Sequence, residues 1–181
     1  MAGKNDAKLE VTLPSEKEIL MRRVFDAPRH LVFEVMTTPE YVRRWWCCGE
    51  GFTMPVCDID LRVGGKYRYV TRGADGTEFG FNGVYREIVA PERIVHTEIF
   101  EPYPDEETVC TMTLEERDGK TYYQCLVVHA TTQGRDAHIA SGMEQGANYT
   151  FDRLEEIART LAATDTGAAR NARGPEVVAG A

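Results

Sequence analysis

A chain of 181 residues with 29 acidic against 21 Lys and Arg side chains, a net charge of -8, has the length of one domain and material for a substantial core. That charge disfavours nucleic acid as a partner, and no apolar run comes near the roughly 18 residues of a membrane-spanning helix. The opening MAGKNDAKLE has no signal-peptide core, so a soluble, cytoplasmic protein is expected, with neither nucleic acid nor membrane as partner.

In chain order, residues 1–15 are polar and end near Pro14, which predicts a flexible lead with a short extended piece from Leu9. Residues 18–25, EILMRRVF, combine apolar and β-branched side chains and predict an opening strand. Asp26-Ala27-Pro28 reads as a helix start, with Asp26 or Ala27 at the cap and Pro28 in the first turn, where a missing N–H is harmless. Leu31, Val32, Phe33, Val35 and Met36 supply its apolar side. A second short helix starts at Thr38-Pro39 and carries Tyr41, Val42, Trp45 and Trp46.

Strand signals then persist to residue 129. Candidates are 52–61 and 66–72, broken by Gly64-Gly65, and 78–89 after the turn cluster at 72–76. Residues 93–100 follow the reversal at Pro91-Glu92, and 108–116 and 121–129 flank Asp118-Gly119, a strong hairpin dipeptide. Strand, two short helices, a run of strands and one long helix define an α+β chain, with helices on one face of an antiparallel sheet of about six or seven strands.

The long helix is expected over 133–163. Ala140, Met143, Ala147, Thr150, Leu154, Ile157 and Leu161 recur at steps of three and four, and Glu144, Asp152, Glu155, Glu156 and Arg159 mostly fall off that stripe. Gly142 and Gly146, four apart near its start, imply either the close approach of a strand or an end that covers a hollow with Met143 as an adaptable wall. From Thr164 the chain is Ala- and Gly-rich with almost no large apolar side chain, so 164–181 is expected to be disordered and the domain to occupy 16–163.

Cys47, Cys48, Cys57, Cys110 and Cys125 are odd in number and lack an export signal, which argues for reduced thiols. The adjacent Cys47 and Cys48 invite a metal reading with Cys57. No C-x-x-C pair is present, and His30, His96, His129 and His138 have no ligand-like spacing to them, so neither metal nor cofactor is expected.

Several stretches carry a resemblance. Arg23-Val24-Phe25-Asp26-Ala27-Pro28, Pro39 with Arg44-Trp45-Trp46, Asp60-Leu61-Arg62-Val63-Gly64-Gly65, Gly83-Val84-Tyr85, Pro91-Glu92-Arg93-Ile94-Val95 and Ser141-Gly142-Met143-Glu144-Gln145-Gly146 follow one another in that order. Together they resemble the START-like (SRPBCC, helix-grip) superfamily, in the branch named after the C-terminal domain of activators of the heat-shock protein 90 ATPase. The resemblance implies a curved antiparallel sheet wrapped around the long C-terminal helix, with a cavity between them. It also implies lipid-, sterol-, polyketide- or hormone-like ligands, catalysis in a few members, and a possible chaperone partner; the chain is expected to be a monomer or homodimer.

The residues point the same way. Tyr67 and Tyr69 alternate along one strand, and Phe79, Phe81 and Tyr85 share one side of the next. With Trp45, Trp46, His129, Met143 and Ala147 they form the candidate wall of a pocket for an apolar or aromatic small molecule. Trp45 and Trp46 are helix neighbours that diverge by about 100°, so one of them is expected at the opening. No G-x-S-x-G, H-E-x-x-H or phosphate-loop pattern occurs; Gly64-Gly65 precedes a strand and reads as a turn. The rival reading, a polyketide cyclase- or hydrolase-like enzyme, would rest on His129 with Asp60 or a tyrosine hydroxyl.

Overall fold

The computed structural model describes residues 8–46, 49 and 51–172, with side chains through 165. The order is β1 (Glu10–Thr12), β2 (Glu18–Phe25), α1 (Arg29–Thr37), α2 (Pro39–Trp45), β3 (Thr53–Ile59), β4 (Lys66–Arg72), β5 (Glu78–Val89), β6 (Arg93–Phe100), β7 (Thr108–Arg117), β8 (Lys120–Val128), α3 (Thr132–Ala140) and α4 (Met143–Ala172). All eight strands join one antiparallel sheet in the order β1-β2-β8-β7-β6-β5-β4-β3. From β3 to β8 each strand pairs with its successor, as short turns dictate. The Asp118-Gly119 turn is the tightest of these, both residues lying at positive φ, as the dipeptide predicts. Between β2 and β3 the chain crosses through α1 and α2 to the far edge, so β2 pairs with β8 across about a hundred residues of sequence.

The strand count exceeds the expected six or seven because β1 joins the edge, pairing Val11 with Met21. Leu9 is buried, and its N–H donates to Asn148 Oδ1 at 2.9 Å. The end of the expected flexible lead is therefore tied to both the sheet and α4. Thr38 and Pro39 start α2 as expected, although the Thr38 hydroxyl makes no capping bond, and Pro28 itself takes the N-cap of α1.

Two features of the C-terminal helix differ from the sequence reading. It is not continuous: α3 ends at Ala140, Gly142 takes φ 80°, and α4 begins at Met143. A left-handed residue just after a helix is a standard terminator for which glycine carries no Cβ penalty, so Gly142 is a stop and not a packing glycine. Nor does a strand approach Gly146, since a Cβ built there meets nothing within 4 Å. Beyond Leu161 the helix continues to Ala172, into the segment expected to be disordered, and 173–181 lie outside the described residues, as do Cys47 and Cys48.

The buried face of α4 comprises Thr150, Phe151, Leu154, Glu155, Ile157 and Ala158. Phe151, which the stripe omitted, packs edge-on against Phe25 and Tyr123 at 5.6 and 5.1 Å. Glu155, assigned to the wet side, is buried because it meets Arg23 of β2. The Arg23 side chain is 1% exposed and reaches Glu155 at 3.0 Å and Asp152 at 2.6 Å; Glu155 is 6% exposed, Asp152 63%. Arg23 also lies over the Phe25 ring at 5.4 Å, and the second Glu155 oxygen accepts from the Asp26 N–H at 2.9 Å. A charge so enclosed is tolerable only with its partner, and removing one member strands the other.

Arg23→Ala is expected to lower stability by about 3–5 kcal/mol in urea denaturation, whereas the paired replacement Arg23→Met with Glu155→Leu should recover most of it. Equal losses in the single and double variants would show that the pair does not hold α4 down.

Candidate functional site

The concave face of the sheet follows from strand alternation and register. Tyr67 and Tyr69 of β4, Phe81 and Tyr85 of β5, and Ile94, His96, Glu98 and Phe100 of β6 lie on it, with Cys110 and Met112 of β7 and Tyr123 and Cys125 of β8. Tyr85 stands opposite His96, which stands opposite Cys110. Gly83, opposite Tyr67, has no side chain, and that gap matters: a Cβ there would run into the Thr97 carbonyl and come within 2.7 Å of the Tyr67 ring. Tyr67 therefore lies across Gly83 and donates to the Thr97 carbonyl at 2.9 Å, with Glu98 Oε2 at 3.4 Å.

The tyrosines form a continuous cluster. Ring centroids are 5.0 Å apart for Tyr67–Tyr69 and 5.5 Å for Tyr67–Tyr85. His96 stands edge-on to both Tyr67 and Tyr85, at 5.5 and 6.2 Å. Its Nδ1 is buried and has no hydrogen-bond partner among the described residues. Burial holds the His96 imidazole down at about 4, so it is neutral at physiological pH. Burial also pushes the Glu98 carboxyl up from 4.5 to about 7, opposed only by the Tyr67 hydroxyl. Tyr85 is pushed up to about 12 by burial, and Tyr67 and Tyr69 further still by the same cause. Glu98 is thus the one group of this cluster that can gain charge near neutral pH.

The residues singled out from sequence fall into three places. Tyr67, Tyr69, Phe81 and Tyr85 join the cluster, and Trp46 closes one side of it, 5.1 Å from Tyr69 and 5.9 Å from Phe81. Trp45 instead belongs to the packed core: it is buried, and its indole N–H donates to the Val35 carbonyl at 2.9 Å. Phe79 is exposed and stacks on Phe100 at the end of the sheet. Met143 and Ala147 are half-buried against the edge of the core. An open depression of about 370 Å³ lies at the α3–α4 junction, lined by Ile139, Gly142, Met143, Glu144, Gln145 and Asn148, and none of the tyrosines reaches it.

His129 and Asp60 are not brought together. His129 follows β8, where its Nδ1 faces the Lys17 carbonyl at 3.3 Å and its Nε2 faces His138 Nδ1 at 3.0 Å. A carbonyl only accepts, so His129 carries its proton on Nδ1 and takes a hydrogen bond from His138 on Nε2. Burial lowers both imidazoles, His138 to about 4 with a further push from His129. Asp60 lies past β3, at the opposite edge of the sheet, in an exposed turn where it pairs with Arg62 at 2.9 Å. Gly64-Gly65 is the turn that follows, docked on β5 through Tyr85. Asp58 is exposed as well.

Sequence reasoning missed Glu98 as a site residue and considered His96 only as a metal ligand. Their two-residue spacing in RIVHTEIF was the available signal, but it does not say which face of β6 turns inward. Among the described residues no group of three or more His, Cys, Asp or Glu is placed to hold a metal ion, and no helix is long and apolar enough to cross a membrane.

Such a sheet curved around a long C-terminal helix defines a helix-grip protein. The family described as "Activator of Hsp90 ATPase homolog 1-like protein" matches residues 26–159, and the chain belongs to it. Among solved structures, a Rhodobacter sphaeroides protein is similar at 27% identity and TM-score 0.77, covering 85% of this chain and 99% of its own. A Chromobacterium violaceum protein shares 26% identity at TM-score 0.69, over 78% of this chain and 97% of its own. A Nitrosomonas europaea protein at 23% identity and TM-score 0.73, over 83% and 99%, shares the fold. No curated protein matches the sequence.

Replacing Glu98 by Gln tests its burial. Because the folded carboxyl titrates near 7 and the free one near 4.5, wild type loses stability as pH rises from 4.5 to 7 and then levels off. Glu98→Gln should match wild type at pH 4 and exceed it at pH 8 by on the order of 2–3 kcal/mol, read by urea denaturation. A difference independent of pH would refute the assignment.

Proposed function

We propose that this protein binds an apolar or aromatic small molecule in the interior between the tyrosine-bearing face of the sheet and the first turns of α4. One observation carries this reading. Glu98 and His96 lie deep in the fold and are strongly desolvated, yet both keep accessible surface, the combination expected of side chains that face an interior space. A filled core would leave them either covered or hydrogen-bonded. The helix supports the same reading. From Thr150 to Ala158 α4 is pressed onto the sheet, whereas Met143 and Ala147 are only half-buried and the space beside Gly146 is open. Aromatic walls with a few polar groups are the common composition of small-molecule sites.

The family's description favours a second reading, a module that acts on a heat-shock protein 90 chaperone. Its test is the chaperone's ATPase rate with and without this protein, and no stimulation would dispose of it.

For the binding reading, the neutral dye Nile red should bind saturably at one molecule per chain with a blue-shifted emission. Ala147→Trp, which extends a ring from α4 into the proposed space, should weaken that binding by about tenfold or more while circular dichroism stays unchanged. No saturable binding by wild type, or equal binding by the folded variant, would count against an interior site.

A further inference from the structure

We infer that the interior site selects a hydrophobic or aromatic amine in its protonated form, with the ammonium group set between Glu98 and the tyrosine faces. This rests on the binding function proposed above and adds the chemistry of the guest.

The first argument is the isolation of Glu98. The one polar contact of its side chain among the described residues is the Tyr67 hydroxyl at 3.4 Å, and that hydroxyl has a single proton, which the shorter bond at 2.9 Å assigns to the Thr97 carbonyl. The cations of neighbouring strands are engaged elsewhere: Arg68 with Glu101, Arg86 with Glu107 and Arg93 with Glu87. No Lys or Arg among the described residues forms an ion pair with Glu98. A deep carboxylate lacking both donor and counter-ion is costly to hold ionised, and an ammonium supplies both at once.

Aromatic surroundings supply the second argument. Tyr67, Tyr69 and Tyr85 stand within 5.5 Å of one another in the chain Tyr69–Tyr67–Tyr85, and their π faces attract a cation. His96 stands edge-on to Tyr67 and Tyr85 as a neutral ring, so it adds no positive charge that would repel the ammonium.

Among the described residues nothing else facing Glu98 competes for the role. Across from it, β4 presents Tyr67 and Tyr69, β5 Tyr85, β7 Cys110, and β8 Tyr123 with Cys125; burial holds the tyrosine hydroxyls neutral, and the contact with Cys125 together with burial does the same for the Cys110 thiol. On α4, the residues that border the core ahead of Phe151, namely Met143, Ala147 and Thr150, carry no charge. His129, in the row beyond Thr108, is occupied by His138 and the Lys17 carbonyl. An anionic ligand such as a fatty acid would meet a carboxylate and no cation.

Three probes of matched shape test the inference on the full chain: 4-phenylbutylamine, 4-phenylbutanol and 4-phenylbutyrate, titrated calorimetrically at pH 8 and pH 5. At pH 8 the amine should bind about tenfold or more tighter than the alcohol, and the carboxylate weakest. At pH 5, with Glu98 protonated, the amine's advantage should vanish. Glu98→Gln should abolish the amine's advantage over the alcohol at pH 8; the wild-type pH series carries the test should that variant fail to fold. Equal binding of amine and alcohol, or an amine preference that survives both low pH and Glu98→Gln, overturns the inference while leaving an interior site intact. Binding of none of the three overturns the inference and the binding function together.

Discussion

The placement of α4 depends on the ion pair between Arg23 and Glu155. A guanidinium with 1% exposure needs its partner in place, so the helix is fixed over β2 at the one register where Glu155 meets it. Phe151 then falls between Phe25 and Tyr123, and Leu154, Ile157 and Ala158 are carried onto the sheet. Asn148 receives the Leu9 N–H about two turns before Glu155, binding the edge strand to the same helix. The ion pair and the apolar contacts begin beyond the second turn of the helix; before them Asn148 is the tether, after a break at Gly142 that separates α4 from α3.

The concave face of the sheet is unusually polar for an interior. Rings dominate, but each tyrosine brings a hydroxyl, and β6 adds an imidazole and a carboxyl. The Tyr67 hydroxyl finds its partner in the Thr97 carbonyl, while among the described residues His96 Nδ1 has none and Glu98 only a long contact. Apolar side chains of similar volume would pack without that desolvation cost. In the binding function proposed above these two groups are the ones that recognise the guest, and Gly83 leaves room for Tyr67 to cross toward Glu98.

Local signals made much of the architecture legible. The strands at 18–25, 66–72, 78–89 and 93–100 were expected within the bounds observed, because each is framed by turn residues whose conformational preferences are intrinsic. The same is true of Pro39 at the start of α2 and of Asp118-Gly119. Where two local explanations competed, the sequence was ambiguous. Gly142 fits a helix interior that packs closely or a helix end, and only backbone geometry distinguishes them. Glu155 looks like surface until Arg23, on a strand far away in sequence, is placed beneath it.

Composition, turn chemistry and hydrophobic period are properties of short stretches, so the chain alone determined an α+β order, a meander of antiparallel strands, and Tyr67, Tyr69 and Tyr85 as candidates for an inner face. Tertiary structure decided what depends on pairing between distant stretches. It put Trp45 into the core and Trp46 beside the tyrosines, drew Phe79 to the rim, and separated Asp60 from His129 by nearly the width of the sheet. It also turned His96 and Glu98 inward. A strand's alternation is the same whichever face is wet, and only its register against β5 and β7 says which side these two groups occupy.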